Sequence, residues 1–423
     1  MNEWKEVRFD EIGVVFSGGT PSTSNPELWD GTIAFVTPFD LSKNKTPYIK
    51  QTQRYITQRG LEQSSANLLP ANNLIISSRA PIGYIALSAT EFVTNQGCKS
   101  LKFFENQVPL FHYYNLQMYV NEMKRYGVGT TFSEISKGDL SKLKIQIPKE
   151  KNEQKRIAPI LTTCDAVINH TQSAIAKYKA IKQGLLHDLF ARGLDANGQL
   201  RPSYQQAPEL YKESDMGMIP KEWESCKMGK YILNNLYGPR FDAKDYSENG
   251  NVKTIRGTDF TKEGEILYDQ APKALLPIIL INAHKLNEGE IVIVTTASCG
   301  LTAVFKRPVN DVDFIPSAYS VKYRFAINVN PYFIKYFMST DKAIRQVNKF
   351  VRQGTLGNLP GSDILRFNMI YPDIIEQDKI VNRLFSVDNK IQTEETLLQK
   401  YQSIKHGLMG DLLGGRKEVK TTE

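Results

Sequence analysis

Cysteine is scarce in this 423-residue chain. Its four cysteines, Cys98, Cys164, Cys226 and Cys299, are widely scattered, without the paired spacing of a zinc site or a disulfide scaffold. Histidine is nearly as sparse. His112, His170, His187, His284 and His406 stand alone, none with a partner at metal-ligand spacing. Long apolar runs are also missing. The longest, around Leu275 to Ile281, is too short to span a bilayer and holds a proline. The opening Met1-Asn2-Glu3-Trp4-Lys5 does not read as a charged-then-apolar leader, so no signal peptide is expected. Together these absences lead to the expectation of a reduced, soluble, cytoplasmic protein with no metal site.

Catalytic motifs are absent in the same way. No G-x-G-x-x-G or G-x-x-x-x-G-K-[ST] nucleotide loop occurs. Asn330-Pro331-Tyr332-Phe333 imitates the Asn-Pro-Pro-aromatic loop of amino-methyltransferases but lacks its second proline. It reads as a helix entry with proline in the first turn. Pro372-Asp373 with Glu376, Asp378 and Lys379 hints at a metal-dependent nuclease. All five residues sit at one helix start, where acidic side chains already have a reason in the helix dipole. A catalytic constellation is therefore not expected.

What the chain has is charge and repetition. Lys+Arg 53 against Asp+Glu 45 gives +8, a balance that suits a polyanion, usually nucleic acid. Glu153-Gln154-Lys155-Arg156-Ile157 returns as Glu376-Gln377-Asp378-Lys379-Ile380, an offset of 223 (376 − 153). Ile157, Leu161, Cys164, Ile168, Thr171, Ile175 and Tyr178 step by four and three. Ile380, Leu384, Val387, Ile391, Glu394, Leu398 and Tyr401 step identically. Such alternation puts a narrow seam on one side of each helix, as in a coiled coil. Thr171 and Glu394 share one slot, a candidate register pin or a tolerated polar position. Neither helix has enough apolar surface to stand alone in water, so each is the natural partner of the other. About 35 residues at ~1.5 Å each make a rod of roughly 50 Å.

The repeat extends beyond the helices. Trp4 aligns with Trp223 at an offset of 219 (223 − 4). The run Asn73 to Ser78 resembles Glu290 to Thr296, and small-residue loops closing on Gly83 and Gly300 follow. The fold class expected is α+β. Two tandem mixed domains are each followed by a long helix, and the helices pair as an antiparallel coiled coil with approximate two-fold symmetry. The boundaries fall at 1–150 and 222–373 for the domains, 151–192 and 374–415 for the helices. Residues 193–221 read as a linker or extended arm and 416–423 as a tail. Strands are expected at Ile33 to Thr37, Asn73 to Ser77, Tyr84 to Leu87 and Leu101 to Phe104. In the second half they are expected near Lys253 to Ile255, Glu290 to Val294, Ala303 to Phe305 and Ser320 to Phe325. Single helices are expected over Val108 to Tyr126 and Pro331 to about Arg352, each stopped by a glycine.

Basic, hydroxyl and amide residues recur in the predicted loops. In the first domain they are Lys43, Lys45, Ser78, Arg79, Asn95, Gln96, Lys99, Arg125, Thr130 and Thr131. In the second they are Arg240, Lys244, Arg256, Thr258, Thr296, Ser298, Tyr319, Lys322, Arg352 and Gln353, with Arg345 and Lys349 on the helix before. Arg, Asn and Gln read base edges, whereas Lys, Ser and Thr suit phosphates. A loop of this composition is also what a solvated loop looks like, so the set carries more weight than any member.

The combination resembles the specificity (S) subunit of type I restriction–modification systems over nearly the whole chain. The stretches that carry it are Trp4, Ser77 through Gly83, Asn95-Gln96-Gly97, Gly129-Thr130-Thr131 and Ile147 through Ile157. Gly184-Leu185-Leu186, Gly217 through Trp223 and Glu376-Gln377 complete the order. The resemblance implies a non-catalytic DNA-reading subunit whose domains each read half of a split duplex site. The paired helices would space the readers and dock two methyltransferase subunits, which restriction and translocase subunits would join. S-adenosylmethionine, ATP and Mg²⁺ would then belong to those partners, with no cofactor on this chain. The second half departs from the pattern, with Thr295-Thr296-Ala297-Ser298-Cys299 for Ser77 to Pro81 and Pro316-Ser317 for Asn95-Gln96. Roles implied for Arg79 or Gln96 therefore do not carry over. The alternatives are a stand-alone sequence-specific DNA-binding protein and a coiled-coil scaffold that never touches DNA.

Overall fold

The computed structural model describes residues 4–127, 134–309, 311–352, 354 and 356–419. The chain forms two compact units, Met1–Ala174 with Glu394–Glu423, and Ile175–Thr393. The division cuts both long helices, so each unit holds one globular part, the start of one helix and the end of the other.

In the first unit Leu74–Ser77, apolar up to its closing serine, is a central strand buried along its length. It lies antiparallel between Cys98–Phe103 and Ile85–Ser88, and Gly13–Ser17 and the short Tyr48–Ile49 complete a five-stranded sheet. Burial on both faces is why the run reads as continuous rather than alternating. A three-stranded sheet, Arg54–Ile56, Trp29–Val36 and Phe92–Thr94, stands beside it. Trp4–Arg8 pairs antiparallel with Lys144–Pro148, Trp4 opposite Pro148, so the domain's ends meet where the first long helix begins.

The second unit repeats this plan. Ile232–Tyr237, Ser320–Phe325, Ile291–Val294 and Thr302–Val304 form a four-stranded antiparallel sheet. Lys273–Ala274, Val252–Ile255 and Asp313–Pro316 form a three-stranded one. Glu224–Lys227 pairs with Asn368–Tyr371 ahead of the second long helix. The strands expected from sequence lie within a few residues of those observed.

Each expected domain helix is two helices. Pro109–Gln117 ends at Met118, whose N–H returns to the Asn115 and Leu116 carbonyls, and Val120–Tyr126 follows. Tyr119 leaves helical geometry and its hydroxyl accepts the Gln146 N–H at 2.7 Å. In the second unit Pro331–Met338 stops at Ser339, and Asp341–Phe350 starts afresh with the Thr340 hydroxyl accepting from the Ala343 N–H. Thr340 is an ordinary N-cap, which a periodic apolar pattern hides. Asn330 caps Pro331–Met338 by accepting from the Tyr332 and Phe333 N–H groups, the helix entry expected of its sequence.

The long helices are Lys151–Leu189 and Ile374–Leu412, each of 39 residues. In the first unit Ile157 and Leu161 pack in one core with Leu412 and Leu413. In the second, Ile380 and Leu384 pack with Leu186, Leu189 and Phe190. The start of one helix thus lies beside the end of the other in each unit, an antiparallel pairing. Ile168, Ile175 and Ile391 are buried, and Cys164, Tyr178, Val387, Leu398 and Tyr401 half-buried. Truncating a fully buried Leu161 or Leu384 to alanine costs about 2–5 kcal/mol. Thr171, the candidate register pin, donates its hydroxyl to the Val167 carbonyl of its own helix at 3.0 Å.

The register is marked instead by charged nodes. In the first unit the Tyr114 hydroxyl donates to Asp165 at 2.8 Å and Lys405 reaches the same carboxylate at 2.6 Å. In the second, the Tyr336 hydroxyl donates to Asp388 at 2.6 Å and Lys182 reaches it at 2.6 Å. Lys182 and Lys405, like Asp165 and Asp388, are 223 apart (405 − 182; 388 − 165). Burial and the adjacent carboxylate raise the phenol pKa at Tyr114 and Tyr336 alike.

The stretch 193–221 is not a free arm. Leu194, Tyr211, Met216 and Ile219 are buried in the second unit. Glu376 accepts the Leu194 N–H at 2.7 Å, the Trp223 indole N–H at 3.0 Å and a two-pronged Arg201 guanidinium at 2.6 and 3.1 Å. Asp373 caps the helix start by accepting the Glu376 N–H at 2.9 Å. The acidic run that imitates a nuclease is thereby employed in structure. Polar composition conceals the segment because its few apolar residues follow no period.

Candidate nucleic-acid interface

In the first unit three connections converge where the strands of the main sheet end. They are the turn between Leu74–Ser77 and Ile85–Ser88, the loop before Cys98–Phe103, and the segment after Gly13–Ser17. The Ser78 N–H donates to the Gly97 carbonyl at 2.8 Å and the Gly19 N–H to the Thr94 carbonyl at 2.8 Å. A Cβ on Gly18 would lie 1.9 Å from the Asn95 carbonyl oxygen, so only glycine fits there. Asn95 accepts the Gly97 N–H at 3.1 Å, and exposed Gln96 accepts the Thr20 hydroxyl at 2.6 Å. Behind them Glu134 accepts from Arg79 at 2.9 Å and from Lys99 at 3.1 Å. Burial works to raise the Glu134 carboxyl, but the hydrogen bonds from both cations outweigh it and hold its pKa below the usual range.

The second unit builds the same end from different residues. A Cβ on Gly238 would lie 1.9 Å from the Pro316 carbonyl oxygen, as Gly18 does against Asn95. The Ala297 N–H donates to the Gly357 carbonyl at 3.0 Å, and the Leu359 N–H to the Thr295 carbonyl at 2.7 Å. Thr295 donates its hydroxyl to the Tyr319 carbonyl at 2.9 Å. The Tyr319 ring is left 63% exposed on this surface.

The candidate side chains divide by where the fold puts them. Lys43, Lys45, Arg79, Gln96 and Arg125 are exposed in the first unit. Arg240, Lys244, Thr258, Ser298, Tyr319, Arg345, Lys349 and Arg352 are exposed in the second. Asn95 and Thr296 are half-buried, and Thr296 donates to Asn358 at 3.4 Å. Ser78, Lys99 and Lys322 are interior and need correction as contact residues. Lys99 is spent on Glu134 and Ser78, and Lys322 on the Lys285 carbonyl at 2.6 Å and Glu290. A cation that deep serves the loop above it rather than a ligand. Arg256 is likewise committed, both prongs on the fully buried Asp259 at 3.1 and 2.8 Å. Thr130, Thr131 and Gln353 lie outside the described residues.

Glu134 and Thr20 are not legible from sequence as parts of this site. Glu134 is 55 residues from Arg79, and no local pattern joins them. Among the described residues no group of three or more His, Cys, Asp or Glu side chains is placed to hold a metal ion. No helix among them is long and apolar enough to cross a membrane.

Two like domains, each joined to a long helix, match a known pattern. The family model of the type I restriction modification DNA specificity domain matches residues 1–177 and again 220–402. The chain belongs to this family. The MjaIX type I restriction enzyme specificity subunit of Methanocaldococcus jannaschii is 30% identical over 264 residues, 60% of this chain. That match spans 57% of the relative's own length. The MjaVIII specificity subunit of the same organism is 24% identical over 74% of this chain and 71% of its own. The solved S subunit of a type I restriction–modification system from M. genitalium shares the fold. Its TM-score is 0.59 at 15% identity, covering 100% of this chain and 97% of that one.

Proposed function

We propose that this chain is the non-catalytic, DNA-reading subunit of a type I restriction–modification complex, each domain reading one half of a bipartite duplex site. The observation that carries the reading is the recurrence of one strand-end surface in both units with different exposed side chains. Arg79 and Gln96 are offered by the first, Ser298, Tyr319 and Arg352 by the second. An unchanged scaffold with exchanged loop residues suits two readers of two unlike half-sites.

The paired helices set the distance between half-sites and dock two methyltransferase subunits, to which restriction and translocase subunits add. S-adenosylmethionine, ATP and Mg²⁺ act on those partners. The complex works in the cytoplasm, where its DNA is. Copurification with a methyltransferase subunit, followed by a footprint on duplex DNA, tests this reading. Two protected half-sites around an unread spacer are expected, and one continuous footprint without a partner would favour a stand-alone binder. Removing Thr171–Ala174 and Glu394–Leu397, about one turn from each helix, should shorten the preferred spacer. An unchanged spacer would rule out the helices as ruler.

A further inference from the structure

Away from the strand ends, the second unit carries a groove of about 330 Å³ between the helix Asp341–Phe350 and the pair Glu224–Lys227/Asn368–Tyr371. Lys227, Lys342, Arg345, Lys349 and Arg366 line it, against one acid, Asp215. Lys227 donates to the neutral amide oxygen of Asn368. Arg366 shares Asp363 at 3.4 Å. Lys342, Arg345 and Lys349 form no ion pair with any described residue. Burial, then the neighbouring Arg345, lowers the Lys342 pKa, as expected where cations crowd without a counter-charge.

The matching surface of the first unit is neutralised. There Arg8, in the place of Lys227, pairs with Asp10 at 2.6 Å, and Lys144 opposite it pairs with Glu6 at 2.7 Å. Both helices carry an acid in their first turn, Glu122 in Val120–Tyr126 and Asp341 in Asp341–Phe350, so the difference between the units lies in the paired strands. The cationic groove is thus a property of the second unit and not of the shared scaffold. It also runs toward the reading surface, since Lys349 and Phe350 lead directly into Arg352.

We propose that this groove binds the phosphate backbone of duplex DNA beyond the bases met by the strand-end loops, as a sequence-independent anchor for the second domain alone. The inference rests on the DNA-reading role and adds a second contact surface to it. Each phosphate neutralised contributes about −0.9 to the slope of log affinity against log salt.

The test uses the full chain, its complex if the free chain is not soluble, and mixed-sequence duplex DNA titrated across salt concentration. The triple variant Lys342→Gln, Arg345→Gln, Lys349→Gln should bind more weakly, with a slope shallower by roughly 2–3. The loss should be equal on preferred and unrelated duplexes. A control with Lys212→Gln, Lys262→Gln and Lys306→Gln, three exposed lysines outside the groove, should keep the parent slope. Lys342→Arg with Lys349→Arg should keep it too. If the triple variant loses its cooperative thermal transition, Arg345→Gln and Lys349→Gln singly carry the test, each expected to flatten the slope by about 0.9.

A parent-like slope in the groove variants overturns the proposal. So does an equal flattening in the control, which would assign the effect to net charge. Weaker binding of poly-glutamate by the variants, without any change on duplex DNA, would give the groove to an acidic protein segment instead. In all three cases a changed sequence preference in Arg79→Ala leaves the reading role standing. Absence of salt-dependent duplex binding by the unmodified chain overturns both.

Discussion

Tyr114, Asp165 and Lys405 in the first unit meet as Tyr336, Asp388 and Lys182 do in the second. At the strand ends the units part company. Arg79 and Lys99 converge on Glu134 in one, whereas the other joins Thr296 to Asn358 and leaves Tyr319 open. The duplicated chain has kept what joins helix to domain and changed what faces outward. Helix contacts are coupled, so losing one partner of a node strands a half-buried charge on the other. Loop tips carry no such penalty and are free to diverge.

The two units differ most at the starts of their long helices. Glu376 holds Arg201, Trp223 and the Leu194 N–H in a nearly buried cluster. Its counterpart Glu153 accepts the Val419 N–H at 3.4 Å and pairs with Arg156 at 3.2 Å. Glu376→Gln should cost the second unit about 3–5 kcal/mol by stranding Arg201. Glu153→Gln should cost the first less, because Arg156 is partly solvated. Hydrogen exchange resolved by unit measures both, and equal losses would break the distinction.

Tyr114→Phe and Tyr336→Phe each remove a hydrogen bond to a carboxylate, at roughly 1.5–3 kcal/mol. Equivalent nodes require the two losses to agree, and a clear inequality would show that only one holds its helix pair.

Acid should separate the units further. His112 is fully buried, its Nε2 2.7 Å from the Gln107 amide oxygen, and burial lowers its pKa to about 3. The matching position, 222 residues on (334 − 112), is Ile334. The folded first unit keeps His112 neutral while its unfolded chain takes up a proton below about pH 6.5. Its stability is therefore complete above that pH and declines below it, by about 1.4 kcal/mol per pH unit until the folded pKa is reached. His112→Leu should remove this slope from the first unit's unfolding and leave the second unchanged.

The smallest effects belong to the loops. Gln96→Ala and Tyr319→Ala should each lose roughly 1 kcal/mol of discrimination, the low end for a base contact. Each should do so at a different half-site in a binding selection. Loss at the same half-site would contradict the division of labour.

Much of this architecture is legible in the amino-acid sequence. The 223-residue repeat, the four-and-three seam and the apolar runs of the central strands follow from side-chain pattern, and such patterns are local. Lys99 and Lys322 mark the limit of local pattern. By sequence Lys99 sits just before a predicted strand and Lys322 within one, and the register of Cys98–Phe103 and Ser320–Phe325 turns both inward. Arg256 misleads for a different reason, since Asp259, three residues on, claims it within one local turn.

Side-chain pattern alone establishes the duplication, the two long helices with their seams and the plan of strands, because periodicity and spacing survive without tertiary context. Folding in three dimensions settles which cations are free, where 193–221 lies, and that one unit bears a cationic groove the other neutralises. Those outcomes depend on which distant groups meet, as Glu134 meets Arg79 and Glu376 meets Arg201, and contact between distant residues is what folding adds.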